Sequence, residues 1–307
     1  MAMAIAEKIG ALYTRANKPL RLSRGTTTAL IFILPALLLF TTLVILPMAE
    51  AASFSFYEWG GYGDVGQFVG LKNYQRMFSH PVFSRALFNN FLIIVVSILV
   101  ALPLAFLLAV LVADKFKGVS FFRAIFFIPY ILADVAAGLI WRFLYDGQYG
   151  VVQFVAGLFG FTAPYLLADR DLAMYAVLAV VGWKYFGLHM IIYIAGLQSI
   201  PREVLEAARI DGASWWDTLI RVIVPMMGPT IRLTVFFSII GSLQFFDLIM
   251  PLTGGGPQNS TQTLVSYLYN FGIVRLNIGF GSAVGVFLFL VCVVFAFSYR
   301  RLLMAKD

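Results

Sequence analysis

Charged side chains are scarce in the long apolar runs of this chain, and three fall where a bilayer would surround them: Asp134, Lys184 and Asp247. A charge at the centre of a lipid-spanning helix costs at least about 2.5–3.5 kcal/mol on insertion scales, so each must face protein or water. They are expected either to mark a translocation path or to form an interhelical ion pair. Around them stand Tyr130, Tyr185, Gln244 and Phe245. Aromatic rings stack on C–H faces, and amides or carboxylates pair with hydroxyls, which is what a polyhydroxylated ligand needs. These seven residues form the expected substrate path. His189 lies five residues beyond Lys184, off its helix face, and reads more simply as hydrogen-bonded filler.

Other chemistry is missing. There is no G-x-x-x-x-G-K-[ST], so this chain is not expected to bind or hydrolyse ATP. There is no H-E-x-x-H and no G-x-S-x-G. Two His and the single Cys292 leave no metal cluster or intrachain disulfide, and disfavour an intramembrane enzyme. No catalytic, cofactor-binding or metal-ligating residue is expected.

The elements that must position these residues follow from composition. The chain has 307 residues, 61% hydrophobic and 12% charged, with a mean hydropathy of +0.89. Its apolar runs approach bilayer length, so lipid is the expected solvent and an all-α polytopic bundle the expected fold. Six spans are read at about 28–48, 88–112, 121–143, 172–197, 230–252 and 278–299, with Pro103 inside the second and Pro129 kinking the third. The first run, followed by Ala49-Glu50-Ala51, has a cleavage-site pattern, but it exceeds a signal-peptide core and reads as a retained span. Residues 1–27 form a basic N-terminal segment, 28–299 the membrane domain, and 300–307 a short tail. Gly281 and Gly285 in the last span have the spacing that permits close helix contact.

Six spans put both ends on one side. Of the 22 Lys and Arg, that side takes all but Lys184 and Lys72, Arg76, Arg85, Arg142, Arg170 and Arg275. The positive-inside rule then puts both termini in the cytoplasm. The net charge of +7 is thereby an orientation signal and does not call for nucleic acid. Trp59, Trp141 and Trp183 near span ends suit an interfacial belt.

The longest folded polar interruption, 199–229, reads SIPREVLEAARIDGASWWDTLIRVIVPMMGP. Pro201 suits a helix start, Glu203 and Glu206 early turns, and Gly212 a left-handed stop. Ser214 with Asp217 begins a second short helix, which Pro225 is expected to end. Two helices joined at Asp211-Gly212-Ala213 make an ordered elbow on the cytoplasmic side. Small Ala207, Ala208 and Gly212 amid mixed charge suit docking into a partner's groove; a solvated amphipathic connector has the same features.

Glu206-Ala207-Ala208, three residues, Gly212, nine residues, then Val222-Ile223-Val224-Pro225 resembles the EAA loop of ABC importer permeases, with Val222 and Val224 where Ile and Leu are usual. Leu252-Thr253-Gly254-Gly255-Gly256-Pro257 with Thr261 and Thr263, Val69 to Tyr74, and Gln198 to Pro201 resemble the sugar-type (maltose-permease-like) branch. Where that family often has Gly-x-x-Asn, this chain has Gly150-Val151-Val152-Gln153. The resemblance implies one permease subunit of a binding-protein-dependent carbohydrate importer in the bacterial inner membrane. Its partners would be a second homologous permease, two ATP-binding cassette subunits holding ATP and Mg, and a periplasmic or extracellular substrate-binding protein. Glu203, Glu206, Ala207, Ala208, Asp211, Gly212 and Pro225 would couple to the ATPases. Gly254, Gly255, Gly256 and Pro257 would face the binding protein. The residues alone leave another reading, an ion-gradient-driven transporter with Asp134, Lys184 and Asp247 as its relay.

Overall fold

A computed structural model describes residues 24–113 and 117–304. Lys8, Arg15, Lys18, Arg21, Lys115 and Lys306, which enter the orientation argument, lie outside the described residues, as do most of the 1–27 segment and the end of the tail. The chain divides into two compact units, 1–50 and 51–307. To the first belongs most of α1 (Ile31–Phe54), a helix long and apolar enough to cross a membrane.

The second unit begins with a two-stranded antiparallel hairpin, β1 (Tyr57–Glu58) and β2 (Gln67–Phe68), and is otherwise helical. In order come α2 (Lys72–Ser79), α3 (Pro81–Ala113), α4 (Val119–Ile131), α5 (Asp134–Leu144) and α6 (Val151–Leu158). Next are α7 (Ala173–Gln198), α8 (Arg202–Ile210), α9 (Trp215–Met226) and α10 (Gly228–Leu243). Last are α11 (Ile249–Thr253), α12 (Leu264–Leu268) and α13 (Ile278–Leu303). Among the described residues four helices, α1, α3, α7 and α13, are each long and apolar enough to span a bilayer, and the number is six if the bent pairs α4–α5 and α9–α10 each count as one span.

Prolines inside these helices do not stop them. Five-residue π turns at Thr41–Ile45, Ser97–Ala101 and Leu219–Ile223 stand just before Pro47, Pro103 and Pro225. In each, the N–H of the residue before the proline reaches back five residues, as Leu102 does to Ser97 and Val224 to Leu219. Widening the turn relieves the clash of a proline ring with the preceding carbonyls. Pro225 therefore does not end the second elbow helix; α9 runs through it to Met226 and then bends by 69° into α10.

Two expected spans are interrupted instead. The third breaks at Leu132-Ala133, both extended, with a bend of 98°. Pro129 lies within α4, one turn earlier. The fifth ends as a helix at Leu243, well short of 252, and the short α11 follows. In both places carbonyls that would continue the helix are claimed by side chains from elsewhere.

Three apolar clusters hold the unit together. One centres on Val177, Val180 and Val181 of α7 with Leu248, Ile249 and Leu252 at α11. A second joins Met77 and Phe83 to Tyr267, Phe271 and Phe280. The third joins Ala105 and Ala109 of α3 to Met190, Tyr193 and Ile194 of α7 and to Met227 below α10. Gly281 meets Gly272 so closely that an added Cβ would lie 3.0 Å from its Cα, and one on Gly285 would touch Leu268 at 3.4 Å. The spacing seen in the last span thus serves packing. A still closer approach sits in mid-span, where a Cβ on Gly187 would lie 2.0 Å from the Phe126 carbonyl oxygen. Gly187→Ala is expected to force α4 from α7 and cost about 1–3 kcal/mol, read as a lower melting temperature of the purified complex in detergent.

Candidate functional site

The break between α4 and α5 leaves the last carbonyls of α4 without helical donors, a serious cost where no water is at hand. Lys184, on α7, supplies the donor. Its ammonium donates to the carbonyls of Pro129 and Tyr130, each at 3.1 Å, and to that of Leu132. It also pairs with Asp134 Oδ1 at 3.1 Å, and its side chain is only 2% exposed. Asp134 stands at the first position of α5, so a cation meets the negative end of one helix and a carboxylate the positive end of the next. The phenol of Tyr185 donates to the other carboxylate oxygen at 3.0 Å.

Above this staple lies a cavity of about 530 Å³. Six of the seven residues expected on the path line it: Tyr130, Asp134, Tyr185, Gln244, Phe245 and Asp247. Lys184 does not; it is packed behind the wall with every ammonium hydrogen engaged. Ser97 of α3 and Ser238, Gly241 and Ser242 of α10 contribute as well, and none of these stood out in the sequence. His189 also lines the cavity, buried to 6% exposure with its Nδ1 unpartnered. Both interrupted spans contribute residues, because α5 packs on α11 where Gly138 meets Pro251 and the Leu248 carbonyl.

The second break depends on two residues the sequence reading passed over, Asn89 and Asn90, each 1% exposed. Asn90 donates to the Ser242 carbonyl at 2.5 Å and accepts from the Leu264 N–H at 2.8 Å. Asn89 donates to the carbonyls of Ser260 and Gln262 at 2.7 and 2.8 Å. Thr263 donates to the Phe245 carbonyl at 2.6 Å. An Asn pair inside an apolar run was the available signal, since a buried amide needs partners.

The Gly254–Pro257 turn is ordered. Gly254 and Gly255 take positive φ, and a Cβ on Gly255 would lie 2.3 Å from the Gln262 amide. The hydroxyls of Thr253 and Thr261 lie 2.7 Å apart, and Thr261 donates to the Gly256 carbonyl at 2.7 Å. In the excursion before α3, Asn73 donates to the carbonyls of Ser55 and Tyr57, each at 2.9 Å. Gln153, in the place of the usual Asn, accepts from the Ala163 N–H at 2.9 Å. Beyond α5, the N–H groups of Tyr149 and Gln148 hold the Asp146 carboxyl below its ordinary range.

The elbow is two helices turned by a glycine. Gly212 has φ +78°; its N–H reaches the Arg209 carbonyl at 3.1 Å, and the Ala213 N–H reaches that of Ala208 at 3.0 Å. This is a Schellman stop for α8. The Ser214 hydroxyl oxygen accepts from the Asp217 N–H at 3.1 Å and donates to the Asp217 carboxylate at 2.6 Å, while Arg221 pairs with that carboxylate at 3.4 Å. Glu203, Glu206, Ala207, Asp211, Gly212 and Pro225 are exposed and Ala208 is half-buried. So are large apolar groups that the sequence reading did not single out, namely Ile210 (86%), Trp215 and Trp216.

Interrupted spans surround a largely apolar cavity that carries a few polar and charged side chains, an arrangement suited to a membrane permease. The chain belongs to the family described as binding-protein-dependent transport system inner membrane components, whose pattern matches residues 77–305. It is thus a multi-pass permease of the ABC importer class, the transmembrane component that lacks the ATPase domain. It is 31% identical to the sulfoquinovosyl glycerol transport system permease protein of Agrobacterium fabrum, over 91% of each chain. It is 32% identical to the diacetylchitobiose uptake system permease protein of Streptomyces coelicolor, over 88% of this chain and 80% of that one. The fold matches a chain of a bacterial ABC transporter for the acidic polysaccharide alginate with a TM-score of 0.80, at 21% identity over 91% and 96% of the two chains.

Removing the staple tests its role. Lys184→Met is expected to lose about 3 kcal/mol of stability, near the lower end for breaking a buried pair because Asp134 keeps a third of its surface in the cavity. Adding Asp134→Asn should recover part of the loss, since it removes the unpaired charge. Thermal unfolding of both variants in the assembled complex measures this.

Proposed function

We propose that this chain is the permease subunit that carries a carbohydrate across the bacterial inner membrane, with both termini in the cytoplasm. The convergence of six path residues on one cavity carries the reading. Its rings and its amide and carboxylate groups are matched to the two faces of a sugar. The relatives' names point the same way, since their cargoes are a glycosyl glycerol and a chitin disaccharide.

A second homologous permease would complete the pathway, and two ATP-binding cassette subunits, holding ATP and Mg, would drive it. An external binding protein would deliver cargo to the face bearing Gly254, Gly255, Gly256 and Pro257. The elbow would be the coupling surface. Its mixed charges at Glu203, Glu206 and Asp211 surround Ala207, Ala208 and Gly212, and exposed Ile210, Trp215 and Trp216 offer the anchors typical of binding hot spots. Closure of the ATPases would push residues 206–225, and α9 with its bend would pass that displacement into α10. An ion-gradient relay through Lys184 gains no support, because its ammonium is saturated by three carbonyls and a carboxylate.

Ile210→Asp combined with Trp216→Ala is expected to reduce ATPase co-purification at least about tenfold without lowering the melting temperature, both positions being exposed. Undiminished capture would refute coupling through this surface. Asp247→Ala or Gln244→Ala should impair carbohydrate uptake in proteoliposomes while the complex still assembles. Normal uptake kinetics in both would remove them from the path.

A further inference from the structure

The charges around the cavity are not balanced on the side that faces cargo. Among the described residues, no Lys or Arg lines it. Lys184, beside Tyr185 on α7, gives its ammonium to the α4 carbonyls and neutralises Asp134 from behind the wall. Asp247 lines the same space, exposed, with no hydrogen bond or ion pair to any described residue. A second feature points to a ligand with hydroxyls: the Nδ1 of His189, in a side chain more than nine-tenths buried, borders the cavity without a partner.

We propose that the part of the pathway built by this subunit repels anions. Its cargo is therefore an uncharged or ammonium-bearing carbohydrate, and not a phosphorylated, sulfonated or uronate one. This deepens the carbohydrate reading and rests on it for the hydroxyl-rich nature of the cargo, but the charge of the wall is a separate property. A carboxylate in a cleft with low-dielectric walls focuses its field, and such clefts change local ion concentrations by about 10–1000-fold. The sign here excludes anions, and a ring hydroxyl or an ammonium group would meet Asp247 favourably.

Gly241 provides the probe position, because it lines the cavity and a Cβ added there meets nothing within 4 Å. The Gly241→Cys variant, with Cys292→Ala to remove the native thiol, is assembled with its partner subunits in proteoliposomes at pH 8, where an ordinary imidazole is neutral. Modification rates are measured with cationic trimethylammonioethyl methanethiosulfonate and anionic sulfonatoethyl methanethiosulfonate. Each is normalised to its rate with free 2-mercaptoethanol, and the background of the complex lacking Gly241→Cys is subtracted. The normalised cation-to-anion ratio is expected to be at least about ten and to fall to within about threefold of unity when Asp247→Asn is added. Gln244→Cys serves as a second position.

A ratio near one at both positions, or a faster anion, overturns the inference. So does a ratio that Asp247→Asn leaves unchanged, or a failure of neutral methyl methanethiosulfonate to reach either thiol. If the ratio holds while no neutral or amino sugar competes for uptake, the carbohydrate reading fails and the anion barrier stands. If neutral sugars are carried but the ratio is absent, the reverse applies.

Discussion

Where a helix stops inside a bilayer, its last carbonyls have neither helical donors nor water, and the ammonium of Lys184 meets that constraint at the break between α4 and α5. Each unsatisfied carbonyl would cost several kcal/mol in hydrocarbon. A single cation that serves three of them, and is itself neutralised by Asp134, removes the cost of the break and of burying its own charge together. The 98° bend, the seat of Asp134 at the head of α5 and the orientation of Tyr185 all follow from it. Without it the third span would revert to a straight helix, or its break would flood, and the cavity wall would lose its shape.

The second interruption solves the same problem with neutral groups. Asn90 takes the Ser242 carbonyl and Thr263 that of Phe245, so the end of α10 is tied to α3 and to the loop before α12. The two solutions differ in reach. Lysine closes a gap within the wall, whereas the asparagines anchor a distant loop, 170 residues on in sequence or more, to the mouth of the cavity. The glycine turn is consequently a fixed surface on the bundle, held by its own threonines.

From the cavity to the elbow the packing is continuous. The Tyr193 hydroxyl lies 2.7 Å from Thr234 Oγ1, linking α7 to α10, and Met227, Ile200 and Leu205 carry the same cluster down to α8. Tyr299 donates to the Arg232 carbonyl at 2.8 Å, joining α13 to α10. Displacement of α8 and α9 therefore meets close-packed side chains on the way to α7, the helix that carries Lys184, Tyr185 and His189.

Much of this was legible along the chain because it depends on neighbours in sequence. Apolar run length announces spans, Gly212 and Ser214 announce the elbow's turn, and a charge in an apolar run announces that a partner must exist. Pro129 and Pro225 misled for the same reason, since a proline's local penalty was read without the π turns or the distant donors that decide where a helix yields. Asp134 and Lys184 could each be noticed singly. That they meet, that Lys184 faces away from the cavity and that Asp247 is left uncompensated depend on which helices lie side by side. The sequence by itself determined a bundle of lipid-spanning helices with an ordered polar elbow, because burial and turn chemistry are local. Where the spans break and what the cavity faces are settled across the fold, because a buried polar group takes its partner from whichever helix packs beside it, here from 18 to 174 positions away.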